Sequence, residues 1–190
     1  MKNIVILASG EGTNADCIAK KFKDNSNIRV AALFCNRAKA HVLNKMEILG
    51  IPTVVLNNEK WREGSEVVEK LNEYNPDLIV LAGFLAIISS PILDAFSNKI
   101  INLHPSLLPK FGGKGMYGDK VHEAVKAAGE KTTGITIHYV TREVDGGKII
   151  AQFPFEIKES YTVEDIATKI HATEHAHYPE VIEKLLENNI

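Results

Sequence analysis

Five apolar runs, "NIVILA", "IRVAALF", "PTVVL", "DLIVLAG" and "KIINL", decide most of what this chain can become. Each is apolar along nearly its whole length rather than at alternate positions, the pattern of strands buried on both faces of a parallel sheet. Helical segments are expected between them at residues 14–22, 40–49, 65–74 and 91–96, so strands and helices alternate. Gly50 follows the second helix, Asn75-Pro76 ends the third, and Ser90-Pro91 reads as an N-cap with proline in the first turn. After Leu103 the pattern changes. A loop "HPSLLPKFGGKGMYGDK" leads to a helix near 121–128. Two strands, "TGITIHYV" and "KIIAQFPFEI", follow, joined by "TREVDGG", and the C-terminus is helical from about 163. So short a connection predicts an antiparallel pair. The expected class is α/β: a Rossmann-like open sheet with a parallel N-terminal half, an antiparallel pair in the C-terminal half, and helices on both faces. Residues 1–190 are read as one domain whose architecture changes near residue 100.

Composition narrows the function classes. The 190 residues are 45% hydrophobic and 24% charged, enough for a sizeable core. A net charge of −2 with scattered signs gives no basic surface for a nucleic acid. Cys17 and Cys35 suit buried thiols in a reducing compartment. The start lacks the form of a signal peptide, and no apolar stretch reaches the ~18 residues of a membrane span. A cytoplasmic protein, a monomer or weak homodimer without membrane or nucleic-acid partner, is expected.

In open α/β sheets ligands bind beyond the carboxyl ends of the strands, so the stretches "SGEGTN", "AGFLAI" and "NLHPS" are expected to line one crevice. Gly10-Glu11-Gly12-Thr13-Asn14-Ala15 fits the dinucleotide pattern G-x-G-x-x-G/A after a strand and before a helix. Glycines allow a tight turn and close approach, and the helix N-terminus offers N–H groups to an anion. A phosphate site and a ligand-free turn both fit. The acidic residue a dinucleotide site carries about 20 residues on is missing, since the second strand ends "FCNR", although Arg37 could meet an NADP phosphate. An NAD(P)-dependent oxidoreductase or a noncatalytic nucleotide-binding module is therefore the alternative to the enzyme described below.

Asn102 and His104 stand two apart on an extended chain, which turns both side chains to one face. An amide donor beside an imidazole suits reactions that develop negative charge on a carbonyl oxygen; satisfying loop backbone is the other use of such a pair. Ser106 lacks a nucleophile elbow. Asp145, in "VDGG", is by itself a turn residue, but a carboxylate that reaches an imidazole favours its charged form. "HATEH", residues 171–175, fits an inverted zinc-protease pattern without a convincing third ligand.

"SGEGTN", "LAGFLAIIS", "NLHPSLLPKFGGKGMYGDKVHEAV", "GITIHYV", "VDGGKIIAQ" and "TEHAHYP", in this order, closely resemble the phosphoribosylglycinamide formyltransferase family over nearly the whole chain. The resemblance implies transfer of a formyl group from 10-formyltetrahydrofolate to the amine of glycinamide ribonucleotide in purine synthesis, without a metal. It implies a catalytic trio of Asn102, His104 and Asp145. Gly12, Thr13 and Asn14 would cradle the single phosphate, Glu174 would bind ribose hydroxyls, and Gly83 and Pro105 would lie near the same ligand. The folate would rest on Leu85, Ala86, Ile87 and Ile88, with Asn102, Val144 and Asp145. A cis Leu108–Pro109 bond is also implied. Two departures stand out: Ala86 replaces an arginine of many relatives, for which Lys60 or Arg62 would have to compensate, and the loop at 111–120 is longer than in some relatives. Relatives acting on tRNA, or deformylating the folate, carry an added domain for which these 190 residues leave no room.

Overall fold

The computed structural model describes residues 1–187; the last three positions, to which the expected domain extends, lie outside the described residues. Among them are seven strands and seven helices: β1 (Lys2–Ala8), α1 (Thr13–Phe22), β2 (Ile28–Cys35), α2 (His41–Ile48), β3 (Thr53–Val55), α3 (Asn58–Glu63), α4 (Ser65–Asn72), β4 (Leu78–Leu81), α5 (Ser90–Ala95), β5 (Ile100–His104), α6 (Asp119–Ala127), β6 (Thr132–Tyr139), β7 (Ile149–Glu156) and α7 (Val163–Leu186). The sheet order is β3-β2-β1-β4-β5-β6-β7. β1 pairs in parallel with β2 and β4, β2 with β3, and β6 runs antiparallel to β7. The α/β class and the change from parallel to antiparallel pairing agree with the sequence pattern.

The described residues form two compact units, Met1–Ile101 together with residues 179–187, and Asn102–Tyr178. In the first, Ile4 to Ala8 are fully buried, as an apolar run with helices over both faces of a sheet requires. Asn3 closes the turn before β4: its side-chain amide donates to the carbonyls of Tyr74 and Asn75 at 3.1 Å, and Asn75 takes a positive φ of 44°.

Two expectations change here. "PTVVL" forms only a three-residue strand at the sheet margin, with Val55 exposed, because an edge position is covered on fewer sides than a central one. Ser90 is the first helical residue of α5 rather than its cap; Ser89 holds that position without a side-chain cap bond. One helix, α3, was not anticipated. Six residues are too few for periodicity to show, but Asn57 caps it by accepting the Lys60 N–H at 3.1 Å, and Gly64 ends it at φ 87°.

In the second unit Val121, Val125, Ile135, Ile157, Ile166 and Ile170 form the apolar core. Phe111 and Met116 of the long loop pack against it, so the loop is anchored by two side chains. β7 is the last strand in the order, where Pro154 is tolerated opposite Gly134.

Candidate active site

The glycine-rich loop and the segment after β4 belong to the first unit. Ser9, fully buried, joins them: its N–H donates to the Gly83 carbonyl at 3.1 Å, and its hydroxyl accepts the Leu85 N–H at 2.9 Å. Gly12 caps α1 in the left-handed region, φ 69° and ψ 35°, and the helix begins at Thr13 and Asn14. The need for glycine at this position has a packing reason that the motif did not reveal. A Cβ on Gly12 would collide with the Val42 side chain of α2. Gly10, by contrast, has open space around its Cα. Glu11 points to α2, where its carboxylate lies 3.1 Å from His41 Nδ1 and its carbonyl accepts from Lys45 Nζ at 2.7 Å. Leu85 and Ile87 are exposed, while Phe84 is buried, its ring tilted against Trp61 with centroids 4.5 Å apart. Lys60 is paired with Glu66 at 2.7 Å, and Arg62 is exposed.

The second unit brings Asn102, His104 and Asp145 into one cluster and adds a member that sequence reasoning left unassigned, His138. Asn102 Nδ2 lies 3.2 Å from His138 Nε2. Asp145 lies between the two imidazoles: Oδ2 is 3.6 Å from His104 Nδ1, and Oδ1 is 3.6 Å from His138 Nε2. Its Oδ2 also accepts the Gly113 N–H at 2.9 Å. Both rings are buried, with side-chain exposures of 4% and 2%. Asp145 itself, rather than the glycines after it, takes a positive φ of 56°, a conformation costly for a residue with a Cβ and characteristic of functional sites. His104 Nε2 is 2.8 Å from the Phe111 carbonyl, which only accepts, so this nitrogen carries a proton. His138 Nδ1 is likewise protonated toward the Tyr139 carbonyl at 2.9 Å. Burial pushes the His138 pKa below its ordinary value, against the opposing pull of the Tyr139 carbonyl and of Asp145.

A fully satisfied threonine holds the backbone next to this cluster. Thr136 Oγ1 donates to the Ser106 carbonyl at 2.6 Å and accepts from the Leu108 N–H and from Gln152 Nε2, each at 3.0 Å. The segment it fixes carries the cis Leu108–Pro109 bond. Ser106 is buried, its hydroxyl spent on the Lys110 carbonyl at 2.7 Å, which removes it as a nucleophile in this conformation. Pro105 is half-buried and Val144 exposed. No sequence signal marked Thr136 or Gln152, because their partners are backbone groups of a distant loop.

Glu174 is buried on α7, with Oε2 3.1 Å from His171 Nδ1; this hydrogen bond raises the His171 pKa. Within "HATEH" the glutamate thus pairs with the first histidine. Among the described residues no group of three or more His, Cys, Asp or Glu is arranged to hold a metal ion. Cys17 and Cys35 are not joined in a disulfide, and burial raises the pKa of both thiols. No helix among the described residues is long and apolar enough to cross a membrane.

An amide and a buried imidazole from the carboxyl end of β5 thus meet a carboxylate from the β6–β7 connection in one cluster. The chain belongs to the formyl transferase family, whose model matches residues 2–182. It is 39% identical to the phosphoribosylglycinamide formyltransferase of Bacillus subtilis (strain 168) over the whole chain and 97% of that protein. The Escherichia coli (strain K12) protein of the same name is 35% identical over 95% of this chain and 85% of its own length. The crystal structure of glycinamide ribonucleotide transformylase 1 from Symbiobacterium toebii superposes with a TM-score of 0.91 at 35% identity, covering 99% of this chain and 89% of that one. The dinucleotide reading of the glycine loop gives way to this membership.

Proposed function

We infer that the chain is a folate-dependent formyltransferase that moves the formyl group of 10-formyltetrahydrofolate to the amine of glycinamide ribonucleotide in purine synthesis. The observation that carries this is the cluster of Asn102, His104 and Asp145 within a chain of the formyl transferase family. The amine attacks the formyl carbon, a C–N bond forms, and the carbonyl oxygen becomes an oxyanion. Collapse breaks the bond to the folate N10, which takes up a proton as the attacking nitrogen loses one. Asn102 donates to the oxyanion. His104 has an acceptor facing each nitrogen, the Phe111 carbonyl and Asp145, which orient the ring beside Asn102, where it stabilises the oxyanion. Direct donation by its Nε2–H requires the Phe111 carbonyl to yield.

For the substrate, the N-terminus of α1 behind Gly12 supplies N–H groups and positive dipole for the phosphate, with Thr13 and Asn14 as the first donors. Glu174 takes the ribose hydroxyls, with Gly83 and Pro105 beside the ribonucleotide. Leu85, Ala86, Ile87 and Ile88, with Asn102, Val144 and Asp145, receive the folate, and the exposure of Leu85 and Ile87 gives that ligand apolar surface to cover. Thiols not joined in a disulfide fit a cytoplasmic protein, which the reading makes a monomer or weak homodimer.

The test is steady-state formyl transfer by the purified protein with both substrates, alongside glycinamide riboside lacking the phosphate. Transfer to the ribonucleotide and a fall in kcat/KM of at least ~10²-fold for the riboside are expected, a loss of ~3 kcal/mol of transition-state binding. Absence of transfer, with NAD(H) or NADP(H) bound instead, would replace the reading.

A further inference from the structure

Resting on formyl transfer as the reaction, we propose that His138 is a positioning residue that selects which face of the Asn102 amide meets the reacting carbonyl. Nδ1 is 2.9 Å from the Tyr139 carbonyl and must carry the proton of a neutral ring. Nε2 then has a lone pair and no hydrogen. Asn102 is 3.2 Å away, and only its Nδ2 can give that lone pair a hydrogen, so the amide has one orientation. One of its two hydrogens is held by His138, and the other remains as the donor for the oxyanion.

The same geometry says what protonation would do. An imidazolium at His138 would present a hydrogen on Nε2, which the Asn102 NH2 group cannot accept. The amide would have to turn its oxygen toward the ring, withdrawing the donor, or Nε2–H would turn to Asp145 Oδ1, now 3.6 Å away. The groups that bias this proton are Asp145, which favours the charged ring, and His104, whose charge opposes it; the Tyr139 carbonyl favours it, and burial outweighs both favourable partners. Two imidazoles on one carboxylate thus take different roles, His104 at the reacting carbonyl and His138 held neutral for alignment. Selecting an amide orientation is worth the difference between a made and a missing oxyanion donor.

A double-mutant cycle reads this coupling. His138→Leu fills the space of the ring and removes the acceptor; kcat should fall ~10- to 10²-fold with a smaller change in either KM. His138→Gln places an amide oxygen near the position of Nε2 and should recover part of the loss. In the Asn102→Ala background His138→Leu should cost less than ~3-fold, because no amide is left to align. Equal losses in both backgrounds would overturn the proposal, and a wild type that transfers no formyl group would instead defeat the functional reading. Independently of turnover and of any variant's folding, ¹⁵N spectra of the wild-type imidazoles at neutral pH should show His138 as the Nδ1–H tautomer. An Nε2–H tautomer or an imidazolium would also overturn the assignment.

Discussion

At the scale of single residues the site is built from groups whose hydrogen-bonding capacity is nearly used up. Thr136 is the clearest case, with one donor and two acceptor positions all engaged by Ser106, Leu108 and Gln152. Thr136→Val keeps the shape but removes the partner of the Ser106 carbonyl and of the Leu108 N–H, while Gln152 Nε2 keeps its bond to the Leu108 carbonyl, so it should cost about 1–3 kcal/mol, read as a lower urea midpoint. An unchanged midpoint would mean that water replaces the hydroxyl. Asn102 and His104 stood out in the sequence as a polar pair that interrupts an apolar strand, whereas Asp145, a turn residue by its own pattern, joined them only through the family resemblance; the structure brings the three side chains together. His138 was not legible. It occupies a strand position that alternation alone treats as ordinary, and its role depends on register with β5, which no local pattern records.

At the scale of elements, the glycine loop shows how one residue type can serve a different need from the one its motif names. The sequence leads to Gly12 as the place where a side chain would block a phosphate, yet the added Cβ meets Val42, and the left-handed φ adds its own cost. Gly12→Val should therefore destabilise the protein by about 2–5 kcal/mol, combining overpacking with backbone strain. Gly10→Ala should fold normally, as it has space and no positive φ. Thermal unfolding of the two variants decides this; equal melting temperatures would remove Val42 as the reason. On α7, the Glu174–His171 hydrogen bond accounts for the sequence pattern without a metal. Formyl transfer should survive exhaustive chelation, and loss of activity restored by zinc would contradict this. The long strands and helices followed from apolar periodicity, whereas α3 is too short and β3 too exposed for periodicity to place correctly.

Over the whole molecule, burial of neutral histidines links the fold to pH. His122, on α6, and His138 have pKa values pushed below 6.5 by desolvation, so between those values and 6.5 the unfolded chain binds more protons than the folded one. Their contribution is complete above about pH 6.5 and is lost as pH falls through the folded values. His171 acts in the other direction, with a raised pKa whose stabilisation is present below 6.5 and fades as pH rises through the folded value. Its side chain is 58% exposed, so screening leaves it the lesser influence. Stability should thus drop between pH 7 and 5, and His122→Phe should flatten that slope in urea titrations at the two pH values. An unchanged slope would show that other groups govern acid sensitivity.

The measurement closest to the central claim is the single-turnover rate of formyl transfer by wild type and Asn102→Ala, with folding of both verified by circular dichroism. One preorganised oxyanion donor is worth ~10²–10³ in rate, so the variant should transfer the formyl group that much more slowly while still binding the folate. Transfer at the wild-type rate by folded Asn102→Ala would mean that the chemistry does not run through the cluster of Asn102, His104 and Asp145.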